Sequence, residues 1–208
     1  MVREKRKTLS NVIISQEFNG QKITGAGGIS IVKNKANPLL QIDRKEIITW
    51  SMPDHEYWMD RAIELAQEAG RQGEIPVGAV IVSPRGELLA EGQNYKERQQ
   101  NPTAHAEIVA INRACQVLGN WHLTDCLLYV TLEPCPMCGG AIIQSRIATL
   151  VYGTPDPKTG AMGTVINLAT SPAALHKVQV VAGIRQAECQ EMLQSWFRQL
   201  RQRKGGTP

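Results

Sequence analysis

His105, Glu107, Cys135 and Cys138 are the residues whose types and spacing can do chemistry in this chain. His105-Ala106-Glu107 is followed thirty positions later by the two cysteines of Pro134-Cys135-Pro136-Met137-Cys138. An imidazole and two thiolates suit zinc, and three protein ligands leave the fourth tetrahedral position to water, as in a catalytic site. Water on such an ion loses a proton near neutral pH and becomes a nucleophile. Glu107 is not needed as a ligand, and two residues from His105 it is close enough to carry protons. Hydrolytic deamination needs those parts. A hydroxide attacks an amidine-like carbon, and a carboxylate passes its proton to the ring nitrogen and then to the leaving amine.

Plainer readings exist for each half of the pattern. A Cys-x-x-Cys alone is also a redox pair or half of a structural zinc site. A structural site needs a fourth ligand, and Cys115, Cys126 and Cys189 stand singly inside apolar stretches, where they read as small buried hydrophobes. An odd cysteine count, with two claimed by metal, argues against a disulfide framework and for a reducing compartment. No apolar run approaches the ~20 residues of a membrane span, and no secretory signal follows the basic start. A soluble, cytoplasmic protein is expected.

The net charge of +4 is unevenly placed. Residues 1–50 hold nine Lys/Arg against four Asp/Glu, and residues 51–208 hold fourteen against fifteen. The whole-chain charge is therefore weak support for nucleic-acid binding, and only local clusters argue for it. Residues 1–51 show no sustained period and carry Gly20, Gly25, Gly27 and Gly28. Two readings stand: this N-terminal extension lies upstream of a start at Met52, or it is a basic tail that contacts RNA.

Residues 52–208 must then supply the elements that position the four chemical residues. From residue 54, Trp58, Ala62, Leu65, Ala66 and Ala69 recur at helical spacing until Gly70 and Gly73. Residues 77–82 and 88–91 read as a hairpin around the turn at 84–86. Helices are predicted over 106–118, 138–146 and 186–203, and strands over 127–131, 148–153 and 178–181. That order predicts an α/β, three-layer fold, a mixed sheet covered by helices on both faces. His105 and Cys135 fall at helix starts, whose positive dipole ends favour thiolate.

His-x-Glu followed by Pro-Cys-x-x-Cys is the known signature of zinc nucleobase deaminases. From about Pro53 to Lys204 the chain resembles the bacterial tRNA-specific adenosine deaminases, within the cytidine deaminase-like superfamily. The matching stretches include Ile75-Pro76-Val77-Gly78-Ala79-Val80, Pro102-Thr103-Ala104-His105-Ala106-Glu107, Thr131-Leu132-Glu133-Pro134-Cys135 and Lys158-Thr159-Gly160-Ala161. The last two point to the tRNA branch. The resemblance implies a homodimer that converts adenosine to inosine at the wobble position of a tRNA anticodon, commonly in an arginine tRNA. It implies one Zn2+ per chain on His105, Cys135 and Cys138, with Glu107 as proton shuttle. Asn94 matches an asparagine that hydrogen-bonds the target base, and Asp156 an aspartate of a substrate loop. Ala106 is expected to offer a backbone N–H to the metal-bound hydroxide. Asn101 departs from the family, where aspartate is common, and both residues favour turns and caps.

An anticodon stem-loop is a sensible partner, since its single-stranded bases splay out and are read on their edges. Arg198, Arg201, Arg203 and Lys204 form an acid-free run. It is either a phosphate contact or a helix end complementing its own dipole. The competing functions are a deaminase of guanine, cytosine or cytidine, and a non-catalytic zinc or RNA-binding module. A spare carboxylate beside an open coordination position argues against the module.

Overall fold

The computed structural model describes residues 16–18, 21–23 and 54–205, and the chain divides into two units, Met1–Ile48 and Thr49–Pro208. Met52 and most of the N-terminal extension lie outside the described residues, as does the Lys204 side chain. In the first unit, β1 (Gln16–Phe18) pairs antiparallel with β2 (Gln21–Ile23). No strand is expected there from the sequence, which shows no sustained period over residues 1–51. Asn19-Gly20 stands between them in sequence, the dipeptide favoured in two-residue hairpin loops.

The second unit opens with α1 (His55–Arg71), where the Asp54 carboxylate accepts the Tyr57 N–H at 3.1 Å. This caps one of the four orphan donors at the helix start. The hairpin follows as β3 (Gly78–Val82) and β4 (Leu88–Gln93), with α2 (Ala106–Leu118) after it. Gly119, at φ 61°, ends α2 in the left-handed conformation that glycine adopts without strain. β5 (Leu127–Leu132), α3 (Pro136–Gln144), β6 (Thr149–Thr154), β7 (Gln179–Ala182) and α4 (Gln186–Gly205) complete the unit. Helix α3 starts and ends two residues before the predicted 138–146. Pro136 is tolerated in the first turn, where its missing N–H would have no partner, and Arg146 at φ 61° lies beyond the helix end.

The sheet order is β4-β3-β5-β6-β7. β3 runs antiparallel to both neighbours, and β5, β6 and β7 are parallel. Alternation along β3 separates two cores: Ala79 and Ile81 face Ala106, Ala110, Ala114 and Ile142 of α2 and α3. Val80 and Val82 pack with Met59, Ala62 and Ile63 of α1 and Cys189 of α4. Two helices on each face of a mixed sheet make the expected three layers. Among the three cysteines outside the motif, Cys126 and Cys189 are buried and Cys115 is half-buried. No helix among the described residues is long and apolar enough to cross a membrane.

The α-helices approach the sheet closely at glycines. A Cβ on Gly92 of β4 would stand 2.2 Å from the Ala106 carbonyl oxygen, so the first turn of α2 rests directly on the strand backbone.

Candidate active site

His105 is the N-cap residue of α2 and Cys135 the N-cap residue of α3, and neither side chain caps its helix. An N-cap side chain ordinarily turns back to the helix N–H groups. Here both are left for one another. His105 Nδ1 lies 3.8 Å from Cys135 Sγ and 3.5 Å from Cys138 Sγ, the latter one turn into α3. The three ligand atoms lie within 4.8 Å of one another. Bonds of about 2.3 Å to sulfur and 2.0–2.1 Å to nitrogen at tetrahedral angles put N and S roughly 3.6 Å apart. The cluster therefore fits a zinc ion in both donor chemistry and spacing. Among the described residues the convergent set stops at three.

The two thiols titrate as a pair. Their mutual hydrogen bond draws Cys135 down to about 4, against burial and with help from His105. The same contact, with burial, pushes Cys138 up. The pair thus shares one proton, which is released when a metal binds. His105 is raised by the Cys135 hydrogen bond, opposed by burial and aided by Glu107.

Glu107 sits in the first turn of α2, only 4% exposed, and burial pushes its carboxyl up. A carboxyl nearer neutrality in a closed site suits proton transfer in both directions. Asn94, at the end of β4, is buried and anchored at both ends of its amide. Its Nδ2 donates to the Ile75 carbonyl and its Oδ1 accepts the Ala106 N–H, each at 3.1 Å. The Ala106 N–H, which the resemblance points toward the metal-bound hydroxide, donates to Asn94 Oδ1 in this structure. The Asn94 side chain still has one free N–H to offer.

Asp156 lies in the connection after β6. Burial works against its charge, but bonds from Thr159 Oγ1 at 2.6 Å and Lys158 N at 2.8 Å outweigh it and hold the carboxyl below its ordinary value. Asn101 Oδ1 accepts from Thr103 N at 3.0 Å and Thr103 Oγ1 at 2.8 Å, so the amide oxygen does the turn work of a carboxylate. At the C-terminus, Arg198 pairs with Glu191 at 2.6 Å while Arg201 and Arg203 are exposed.

Two further carboxylates border the site, and no role was read for either from the sequence. Glu74 accepts the N–H groups of Glu97 and Arg98 at 3.1 and 2.8 Å, and Glu133 accepts those of Asp156, Met162 and Thr164. Each is about 1% exposed. The one hint in the sequence is their setting: Glu74 precedes Ile75-Pro76, and Glu133 stands between Leu132 and Pro134.

Sheet order, helix placement and the His/Cys/Cys cluster with its buried glutamate define a deaminase of the cytidine deaminase-like fold, and the model of the MafB19-like deaminase family matches residues 53–201. The chain is 45% identical over 153 residues to the tRNA-specific adenosine deaminase of Bacillus subtilis, covering 74% of this chain and 94% of that protein. Its counterpart in Haemophilus influenzae is 43% identical over 149 residues, 72% of this chain and 86% of that one. The chain belongs to the tRNA-specific adenosine deaminase family. A solved structure from a study of A-to-I editing by tRNA:A34 deaminases aligns with TM-score 0.64 and 40% identity, covering 66% of this chain and 99% of that chain. Guanine deaminase from Nitrosomonas europaea aligns with TM-score 0.57 and 26% identity, covering 68% and 83%.

Proposed function

We propose that this protein hydrolyses adenosine to inosine at the wobble position of a tRNA anticodon, with an arginine tRNA as substrate. The meeting of His105, Cys135 and Cys138 beside a buried carboxylate outside that set carries the deamination, and the identity of 45% and 43% to tRNA-specific adenosine deaminases supports the tRNA substrate. The three residues hold one zinc per chain, which supplies a Lewis acid able to make water nucleophilic near neutral pH. Glu107 takes a proton from the attacking water and passes it to the purine ring nitrogen, then carries the second proton, from the new hydroxyl at C6, to the departing amine. Water adds at C6 and ammonia leaves, with no net redox change. Asn94 spends its remaining N–H on the base, and its anchor to Ala106 keeps it in register with His105 and Glu107. Asp156, fixed by its own loop, faces the extruded nucleotide.

Residues 52–208 carry the catalysis, and exposed Arg201 and Arg203 meet RNA phosphates. Val117, Leu118 and Trp121 at the end of α2, Met137 in α3 and Val165 and Ile166 beyond are all exposed apolar side chains. Such surface supports a homodimer. The cytoplasm, where tRNA is modified, is the expected location.

Purified protein, and a chain starting at Met52, should be incubated separately with an A34 anticodon stem-loop, guanine, cytosine and cytidine. Inosine from the stem-loop alone is the expected result in both. Turnover of guanine with an inert stem-loop would overturn the substrate in favour of the free-base reading that the Nitrosomonas fold likeness suggests.

A further inference from the structure

Glu133 stands immediately before Pro134-Cys135, is almost wholly buried, and has no part in the proposed proton transfers. All three of its hydrogen-bond donors are backbone amides of one loop. Oε1 accepts from Met162 N and Thr164 N at 3.0 Å each, and Oε2 from Asp156 N at 3.1 Å. The backbone adds Glu133 N to Thr154 O and Ala161 N to Pro134 O, each 2.9 Å. Five hydrogen bonds therefore join residues 133–134 to residues 154–164. The fit leaves no spare room: a Cβ on Gly160 would stand 2.3 Å from Glu133 Oε2.

We propose that Glu133 is a positioning residue, whose carboxylate fixes the loop carrying Asp156 onto the turn carrying Cys135 so that substrate meets a loop already formed. The proposal rests on reading Asp156 as facing the nucleotide. Three amides converging on one carboxylate satisfy its buried oxygens, and the same bonds remove conformational freedom from the loop. A loop that must order on binding weakens affinity without altering the chemical step. Glutamine is the discriminating substitute. Its single oxygen can keep Met162 and Thr164, but its amide nitrogen then opposes the Asp156 N–H, a donor against a donor.

The test compares wild type, Glu133→Gln and Glu133→Asp, the last keeping a carboxylate but drawing it back from the loop by one methylene and serving if the glutamine variant fails to fold. Amide exchange at Asp156, Met162 and Thr164 is followed without substrate, zinc per chain is measured, and kcat and KM are read on the A34 stem-loop. The expected result is faster exchange at Asp156, unchanged zinc, and KM raised about tenfold with kcat within about threefold. Unchanged exchange, or a loosened loop with unchanged KM, overturns the proposal. So does loss of zinc with activity, which would make Glu133 a prop for the ligand turn alone. A wild type inert toward the stem-loop sinks the functional reading instead, and the loop claim then stands or falls on the exchange pattern.

Discussion

Replacing Gly92 by alanine should damage the metal site although Gly92 is no ligand. The added Cβ would lie 2.2 Å from the Ala106 carbonyl and 2.7 Å from the Ala110 nitrogen, both backbone atoms that cannot rotate away. Contacts under 3.0 Å essentially do not occur, so strand and helix must separate by about 0.8 Å. Ala106 lies between His105 and Glu107, so a retreat of α2 carries both away from Cys135 and Cys138. Zinc sites tolerate only about ±0.2 Å in their bond lengths, and a 1 Å misplacement of reacting groups costs about 10²-fold. If β4, an edge strand, yields instead, Asn94 leaves Ala106. Either way kcat/KM on the stem-loop should fall about 10²-fold, close to 2.7 kcal/mol, with zinc bound more weakly. Overpacking should lower stability by roughly 1–3 kcal/mol. Zinc titration, steady-state kinetics and thermal melts read the three effects. A Gly92→Ala protein with wild-type zinc affinity and kcat/KM within twofold would refute the claim that this contact sets the ligand geometry.

Gly140 in α3 is the matched control. A Cβ there meets nothing within 4 Å, so Gly140→Ala should stabilise by roughly 0.5–1 kcal/mol and leave zinc untouched, as melts and metal analysis would show. Glu107→Gln should keep zinc and fold while kcat drops by about 10²–10⁴. Loss of zinc with activity would make Glu107 a ligand. Cys138→Ala should lose the ion altogether, and chelation of the wild type should abolish turnover, measured by metal content and inosine formation. Burial, with Glu188 nearby, pushes the Cys189 thiol up to about 12, so at pH 8 roughly one part in 10⁴ is thiolate. Iodoacetamide should leave it unlabelled in folded protein and modify it only as pH approaches 12 or the chain unfolds, read by mass spectrometry.

The residues of the His/Cys/Cys cluster, the buried carboxylate beside it and most element bounds were legible in the sequence because they are local facts. His105 and Glu107 share one helical turn, Cys135 and Cys138 another, and apolar spacing of 3–4 or 2 reports helix or strand within ten residues or so. The 16–23 hairpin was not read, since two three-residue strands give too short a run for a period to emerge. Strand order was not legible either. Nothing in the apolar runs 127–131 and 148–153 says that they lie side by side and parallel, with β3 on the far side of β5. Only packing both faces of the sheet decides that. The partners of Asn94 and Glu133 are the clearest case. One amide spans from Ile75 to Ala106, and one carboxylate gathers amides from 23 to 31 residues away. A side chain's type announces how many hydrogen bonds it needs when buried, but which groups supply them is set by where the folded chain brings distant amides. The sequence by itself determined which residues could hold the metal and move the proton. The tertiary structure decided which backbone groups hold those residues still.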